Sequence, residues 1–407
     1  MSHQDAASLP SCGWDVTVVG AGPAGSVTAL LLARCGHRVL LLDRHRFPRD
    51  KVCGDGLTEA SIAILERLNL AAGVLAEAHE VRGVRGFSPS QYEAVMPARL
   101  LTLRRTRFDA LLAEHAEAAG ATFGCGEVTG IDPGSPLVSL HVAGRGEPLT
   151  SRFAVLATGT RVALLRRLGM VHNEPPTAVG VRCYVRSAYR LDAVVVFFPR
   201  AISPGYLWLF PMGGGEYNVG CCILRRAGGG WRGNLKAALD GAIAELPIAR
   251  DLFAAATSVS PLGGAMVRCG FDGTRRVVAG RVLAIGEAAG STLHFTGEGI
   301  SPAMRTAELA AAALHEALVR DEPQAAVEYP RQIERLLRPR HMAYALAERA
   351  ASRCWLNDFF ARHSRQGSWL HRLGMSALSP EPASPSFRVL RHVFRGAARF
   401  AGRKLRG

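Results

Sequence analysis

Two glycine-rich stretches and one cysteine loop contain the candidate ligand-binding and catalytic residues of this sequence. GAGPAG covers residues 20–25, and GEAAGSTLHFTGEGI covers residues 286–300. Glycine-rich turns let backbone N–H groups approach phosphates closely, above all where a helix begins. Between them, the loop DKVCGDGL contains Cys53. A thiol there could give or take a proton beside a ligand, although a lone cysteine is more often a small buried residue.

The elements around GAGPAG are those that a dinucleotide site requires. Gly20 permits the tight turn, Gly22 lets backbone approach a pyrophosphate, and Gly25 allows close packing of a helix on a strand. Asp43 stands where a carboxylate would bind ribose hydroxyl groups. This unit alone is consistent with FAD or NAD. The pattern predicts strand, glycine turn, helix and strand at residues 14–19, 20–25, 26–35 and 39–43.

The second glycine stretch also joins a predicted strand to a predicted helix. RVLAI at 281–285 reads as a buried strand, and the alanine-rich segment after Gly299 reads as a long helix. Gly297 and Gly299 would lie at its N-terminus, where unpaired amides and the helix dipole stabilise negative charge. A reduced flavin carries such charge. The two stretches together predict one FAD, with its adenine half near the first and its ring near the second.

The middle of the chain, residues 177–266, has the period-two pattern of strands. The runs VGVRCYV, AVVVFF, YLWLFP and YNVGCCIL, broken by Gly and Pro, predict an antiparallel sheet inserted between the nucleotide-binding pieces. Tyr206, Trp208 and Phe210 alternate and would share one face. That face could be the wall of an apolar substrate pocket or ordinary core packing.

Composition narrows the class of protein. The nine cysteines are odd in number and form no CxxC pair, so the sequence predicts neither a zinc site nor a disulfide framework and favours a reducing cytoplasm. The polar N-terminal segment and the lack of a 20-residue apolar run predict a protein that is neither secreted nor membrane-spanning. The oligomeric state is open.

The formal charge of +15 is concentrated at the C-terminal end. Residues 386–407 contain seven Lys and Arg and no acids, and apolar residues recur there at helical spacing. This pattern predicts a basic amphipathic helix, which could contact a membrane surface or could be a solvated or docked helix. Nothing else favours recognition of bases, so no nucleic-acid partner is expected.

The order of these motifs resembles the geranylgeranyl reductase family of FAD enzymes, within the p-hydroxybenzoate hydroxylase-like flavoproteins. The resemblance rests on GAGPAG, DKVCGDGL, RRTRFD, YLWLFP with a following glycine turn and NVG, and GEAAG with FTGEGI. It implies an α/β fold with a Rossmann-like FAD-binding domain, an inserted antiparallel substrate sheet and a helical C-terminal region. The implied segments are 14–80, 100–170 and 270–320 for FAD, 81–99 and 171–269 for substrate, and 321–407 for the helical region and tail.

The resemblance also implies roles for single residues. Arg105 would contact the pyrophosphate, and Glu287 replaces an aspartate common in relatives. Catalytic roles are implied for Cys53, as an aid to proton delivery, and for Gly297 and Glu298. Substrate contacts are implied for Tyr206, Trp208, Phe210, His294 and Phe295, and no metal is expected. FAD contacts are implied for Gly20, Gly22, Pro23, Ala24, Gly25, Asp43, Arg44, Cys53, Gly54, Arg105, Val128, Gly286, Glu287, Gly297, Gly299 and Ile300.

Four reactions are consistent with these features. The first is reduction of C=C bonds in an isoprenoid-type substrate by hydride from FADH2, with NAD(P)H or a reduced partner protein as the electron source. The second is a monooxygenase that hydroxylates an aromatic metabolite or a Trp or Tyr side chain of a partner polypeptide. A halogenase is less favoured because no WxWxIP stretch is present. An electron-transfer flavoprotein is less favoured because CxxC-type iron–sulfur ligands are lacking.

Overall fold

The computed structural model describes residues 4–134, 136–172, 176–224, 233–271, 274–322, 328–364 and 368. The basic helix predicted at 386–407 lies outside these ranges and stays a prediction. Within them, no helix combines the length and the apolar character needed to cross a bilayer.

The strands of the described ranges form two sheets. In chain order they are β1 (Gln4–Asp5), β2 (Trp14–Val19), β3 (Val39–Asp43), β4 (Gly56–Leu57), β5 (His79–Phe87), β6 (Glu93–Thr102), β7 (Thr122–Cys125), β8 (Val128–Asp132), β9 (Val138–Val142), β10 (Leu149–Leu156), β11 (Ala178–Ser187), β12 (Val194–Phe197), β13 (Gly205–Gly213), β14 (Glu216–Leu224), β15 (Ala256–Val259), β16 (Gly263–Val267), β17 (Val278–Ala279) and β18 (Val282–Ala284).

Helices cover the first sheet, pack on the second and form the C-terminal region. In chain order they are α1 (Pro23–Arg34), α2 (Glu59–Arg67), α3 (Ala71–Glu77), α4 (Arg105–Ala118), α5 (Ala163–Arg167), α6 (Leu235–Glu245), α7 (Pro247–Ala254), α8 (Ile300–Arg320), α9 (Tyr329–Ala351) and α10 (Cys354–His363).

The first sheet has the order β1-β7-β3-β2-β10-β18-β17, with β9 also on β10 and β8 on β9. Its centre is parallel, because β2 pairs in parallel with both β3 and β10, and β10 with β18. All five residues of β3 are buried. Burial on both faces is the signature of a parallel sheet covered by helices.

The second sheet has the order β15-β11-β14-β13-β12-β5-β6-β4, with β16 also on β11. Its pairs are antiparallel except β12 with β5. Along β13 the side chains alternate: Leu207 and Leu209 join the apolar cluster of α6 and α7, while Tyr206, Trp208 and Phe210 lie on the other face. The predicted fold class is therefore confirmed, with one parallel pair that the sequence pattern did not indicate.

Candidate functional site

The first glycine stretch forms a tight turn between β2 and α1. Gly20 has φ +104°, and Gly22 caps α1, whose first residue is Pro23. A Cβ placed on Gly25 would stand 1.8 Å from the Gly20 carbonyl oxygen, so the helix touches the turn backbone directly. Only glycine fits there. The turn leaves the N-terminus of α1 open in front of Gly22, as a phosphate cradle requires.

Asp43 ends β3 beside this turn. Its Oδ2 accepts the Ala21 backbone N–H at 2.9 Å, and its Oδ1 accepts the His45 N–H at 3.0 Å. Val128, also assigned to the cofactor, is buried at the start of β8, close to Gly126, whose N–H bonds the Asp43 carbonyl at 2.8 Å. The Arg44 side chain follows on the surface and is exposed.

Arg49, which sequence reasoning did not select, reaches this cradle. Its Nη2 lies 3.9 Å from where a Cβ on Gly22 would stand. Its Nη1 pairs with Asp109 Oδ2 at 3.0 Å, and its guanidinium lies over the Phe47 ring at 4.8 Å. The Arg49 Nε is buried without a hydrogen-bond partner, 3.3 Å from Asp43 Oδ2. A mostly buried cation with spare donors beside a helix N-terminus suits a pyrophosphate.

Replacing Arg49 with alanine is expected to weaken FAD binding about tenfold or more, because a charge-assisted bond to phosphate contributes about 1.5–3 kcal/mol. Arg46→Ala is the matched comparison, since it removes an exposed arginine of the same loop that is not assigned to FAD. Quenching of flavin fluorescence on titration into apoprotein measures both dissociation constants. Equal affinities for Arg49→Ala and the unchanged protein would remove Arg49 from the site.

Arg105 lies deeper than the assignment to the pyrophosphate implied. Its Nε and Nη2 donate to the two carboxylate oxygens of Asp109 at 2.6 and 2.8 Å, and both side chains are buried. Burial alone would lower the pKa of Arg105, but Asp109 and the Cys53 thiol raise it above its ordinary value. Asp109 thus joins two arginines, and it is Arg49 that extends to Gly22.

The second glycine stretch contacts the first. A Cβ on Gly286 would stand 2.9 Å from the Ala24 Cβ, and Gly286, with φ +60°, donates its N–H to Thr306 Oγ1 at 2.8 Å. The Glu287 carboxylate accepts the Arg268 backbone N–H at 3.0 Å and lies beside Gly159. The Glu287 carboxylate is therefore held close to the backbone of two segments, at Arg268 and at Gly159.

The loop before α8 places Gly297 and Gly299 at the helix N-terminus. Gly299 caps α8, Ile300 is its first residue, and Gly297 has φ +66°. The Glu298 Oε1 accepts the Thr58 hydroxyl at 2.7 Å and the Ser301 hydroxyl at 2.5 Å. These contacts show Glu298 tying the loop to the N-terminus of α2. Its catalytic role stays a prediction.

The cysteine loop lies across the second sheet. Cys53 is partly exposed, and its carbonyl accepts the Asn218 side-chain amide at 2.8 Å. A Cβ on Gly54 would stand 3.2 Å from the Phe210 ring, so the loop backbone packs on that ring. Asp55, with φ +61°, is fully buried. Burial raises the pKa of Asp55, and hydrogen bonds from Tyr184 and Asn218 offset only part of that rise.

The aromatic residues form one continuous face. The Tyr206 ring lies 6.0 Å from Trp208 and 6.1 Å from Phe198, and Phe198 stacks on Phe295 at 5.6 Å. The Tyr206 hydroxyl donates to the Thr296 carbonyl at 2.5 Å, which joins this face to the loop before α8. Phe198 was not predicted, because it follows β12 and has no alternating neighbour. Buried Cys222 lies on the same face.

His294 points toward the C-terminal helices. Its Nδ1 lies 3.4 Å from Glu348 Oε2, its ring meets His341 at 5.8 Å, and a side chain at Gly270 would clash with its Nε2. Burial, with the neighbouring His294, lowers the pKa of His341 to about 4. His294, in the loop before α8, therefore faces α9, and its substrate contact stays a prediction.

These residues fit FAD. The two glycine stretches touch, two helices begin beside them, and Arg49 has a buried Nε without a hydrogen-bond partner. The ADP half would be held by the Gly20–Gly25 turn, Asp43 and Arg49, and the flavin by the loop before α8. In the part of the chain that the structure describes, no three His, Cys, Asp or Glu residues could together hold a metal ion.

Comparisons with known proteins agree with this geometry. The family model described as an FAD binding domain matches residues 13–334. Menaquinone reductase of Mycobacterium tuberculosis is 34% identical over 318 residues, which is 73% of this chain and 75% of the relative. Digeranylgeranylglycerophospholipid reductase 2 of Methanopyrus kandleri is 27% identical over 326 residues, 77% of this chain and 79% of the relative.

A solved structure shares the fold. It is a geranylgeranyl bacteriochlorophyll reductase-like protein from Thermoplasma acidophilum, with a TM-score of 0.76 and 21% identity over 93% of this chain and 95% of that chain. The fold, the geometry of the two glycine stretches and the family match all indicate an FAD-binding protein. The chain is an FAD-dependent oxidoreductase and belongs to the geranylgeranyl reductase family of the p-hydroxybenzoate hydroxylase-like flavoproteins.

Proposed function

We propose that this enzyme reduces carbon–carbon double bonds of an isoprenoid chain carried by a quinone or a lipid. The observation that supports this most strongly is the placement of the Cys53 loop directly on the aromatic face of the second sheet. The loop backbone at Gly54 packs on the Phe210 ring, and this contact supports a role for the neighbouring Cys53 beside an apolar chain. The relatives named for menaquinone and for a digeranylgeranyl lipid act on molecules of this chemical class.

The chemistry divides between cofactor and chain. Reduced FAD, when bound, supplies a hydride to one alkene carbon. The Cys53 thiol holds the proton that the neighbouring carbon needs, so one hydride and one proton add across the double bond. Tyr206 and the stacked pair Phe198 and Phe295 offer an apolar surface that orients the chain and excludes water.

The electron source is part of the proposal. One dinucleotide fingerprint is present in the sequence, at the turn before α1, and we assign it to FAD. NAD(P)H would therefore react at a transient surface site, or a reduced partner protein would supply the electrons.

Anaerobic photoreduction followed by a prenylated quinone or a geranylgeranyl lipid tests the reaction. The proposal predicts that the substrate reoxidises the flavin without oxygen and gains two hydrogens per double bond by mass spectrometry. If the reduced enzyme reacts only when oxygen is added and the product is hydroxylated, the enzyme is a monooxygenase. Bromide or chloride incorporation would identify a halogenase.

Replacing Cys53 with alanine is expected to slow substrate-driven flavin reoxidation by about 10²–10⁴-fold, the range for a positioned proton donor. FAD affinity should fall far less than turnover, because the residues assigned to the ADP half, the Gly20–Gly25 turn, Asp43 and Arg49, are unchanged. Cys35→Ala, at an exposed cysteine, is the matched control. Full turnover by Cys53→Ala would assign proton delivery to another group or to water.

A further inference from the structure

Residues 50–56 lie across β11, β14 and β13 of the second sheet, and side chains of these strands contact the segment along its length. The Arg182 Nη2 donates to both Asp50 oxygens at 2.6 and 2.8 Å. The Tyr184 hydroxyl donates to Asp55 Oδ2 at 2.6 Å, and Phe210 packs under Gly54. These side chains share a face because Tyr184 pairs with Asn218 and Asn218 with Phe210 across β11, β14 and β13.

Asn218 is the centre of this contact and is completely buried. Its Nδ2 donates to the Cys53 carbonyl at 2.8 Å and to Asp55 Oδ2 at 2.9 Å. Its Oδ1 accepts the Trp208 indole N–H at 2.9 Å. One amide therefore bridges the residues on both sides of Gly54 and connects them to the aromatic strand.

The chemistry of these partners fixes the orientation of the amide. An indole N–H can only donate, and a backbone carbonyl can only accept. The Asn218 oxygen must therefore face Trp208, and its NH2 must face Cys53 and Asp55. Turning the amide over would set oxygen against two oxygens and nitrogen against a donor. Each buried group is satisfied in this one orientation.

Close packing fixes the position of the Trp208 indole next to the Asn218 side-chain amide. A Cβ on Gly220 would stand 2.3 Å from the Trp208 ring, so the missing side chain makes the space that the indole fills. A Cβ on Gly56 would stand 2.9 Å from the Phe210 ring. The guanidinium groups of Arg104 and Arg182 lie 3.9 and 4.2 Å from the Tyr184 ring. These contacts hold the Tyr184 side chain of β11 in place beside Asp55.

We propose that Asn218 is a positioning residue that holds the Cys53 thiol toward the flavin, and that Trp208 acts through Asn218. The inference rests on the proposed function, because it gives Cys53 its role in proton delivery. Trp208 of the YLWLFP motif then serves as the support of the cysteine loop as well as part of the aromatic face. The unit formed by Asn218, Trp208 and Asp55 is termed the loop clamp below.

The test is Asn218→Asp in the full-length, FAD-loaded protein. This change keeps the shape and an acceptor for Trp208, but it removes the donor to Cys53 and sets a second carboxylate against Asp55. Peptide-resolved alkylation of Cys53 by iodoacetamide should become about tenfold faster, because the loop opens more often. Turnover with a prenylated quinone should fall about tenfold in kcat with little change in KM, and FAD affinity should stay within about twofold.

Trp208→Phe is the second variant, because it keeps an aromatic ring but deletes the indole donor and part of the ring volume that fills the space beside Gly220. It should shift Cys53 alkylation in the same direction by a smaller factor. Tyr217→Phe is the matched control: it removes a partly buried hydrogen bond one residue from Asn218, to the Tyr189 carbonyl on the opposite face. Tyr217→Phe should leave Cys53 alkylation unchanged.

Unchanged Cys53 alkylation in both Asn218→Asp and Trp208→Phe would overturn the loop clamp. The loop clamp would also be overturned if the FAD affinity of Asn218→Asp fell by the same factor as its kcat. Asn218 would then act on FAD binding and not on the position of Cys53. The alkylation measurement needs no substrate. Absence of any reaction between the unchanged enzyme and prenylated substrates would therefore refute the proposed function without deciding the loop clamp.

Discussion

Gly25→Ala should produce a protein that does not retain FAD. The added methyl group would stand 1.8 Å from the Gly20 carbonyl oxygen and 3.2 Å from the Ala157 side chain. Because the nearest atom is backbone in the tight turn, the methyl group cannot be accommodated by a side-chain rotation. The turn or α1 must move, and the amides facing the pyrophosphate move with it. We expect FAD affinity to fall by about a hundredfold, corresponding to about 3 kcal/mol.

Absorbance at flavin wavelengths after desalting, with fluorescence titration of the apoprotein, measures this loss. Gly241→Ala is the matched control. It lies within α6, and a Cβ there meets nothing within 4 Å. Alanine in a helix interior is favoured over glycine by about 0.5–1 kcal/mol, so this control should keep its FAD and melt no earlier than the unchanged protein. A Gly25→Ala protein that stays yellow would contradict the role given to the turn.

Asp109→Asn should destabilise the protein more than any exposed charge change. Asp109 is completely buried and pairs with both Arg105 and Arg49. The neutral amide has nearly the same shape, but it leaves two arginine charges without their shared counterion. Removing one partner of a buried ion pair costs about 3–5 kcal/mol, because the remaining charge stays desolvated.

Thermal and urea denaturation of the apoprotein and of the FAD-loaded protein measure the change. Asp240→Asn is the control, since Asp240 pairs with Lys236 on the surface of α6, where such pairs contribute about 0–1 kcal/mol. We also expect Asp109→Asn to bind FAD less tightly, because Arg49 loses the carboxylate that holds it near Gly22. A melting temperature equal to that of the Asp240→Asn control would show that the arginines find other partners.

The fold could be predicted wherever local pattern and tertiary role agree. The turn from β2 to α1 has a recognisable sequence motif because phosphate binding requires glycine at fixed positions. The side chains of β13 alternate in character because one face packs on α6 and α7 and the other is the aromatic face. Helix α1 begins at Pro23, three residues earlier than the apolar pattern indicated, because the glycine turn itself continues into the helix.

The parts that could not be predicted depend on contacts between distant segments. No sequence pattern distinguishes Arg44, Arg46 and Arg49 as ligands of the cofactor. It is the path of the loop in three dimensions that brings Arg49 to Gly22. Glu298 and Thr58 are 240 positions apart, so no local signal connects them. The Asn218 contacts with Cys53 and Asp55 likewise require the packing of a loop on a sheet, which no periodicity records.

The parallel pair of β5 with β12 has a consequence for how the chain folds. Val84 pairs with Val194, and the first sheet also remains incomplete until β18 joins β10. Both sheets therefore need loop closures over more than one hundred residues, and contacts of that separation slow folding. During synthesis, neither sheet can close on the ribosome before most of the chain has emerged. We expect this enzyme to depend on chaperones in the cell and to yield no stable fragment when it is divided between the sheets.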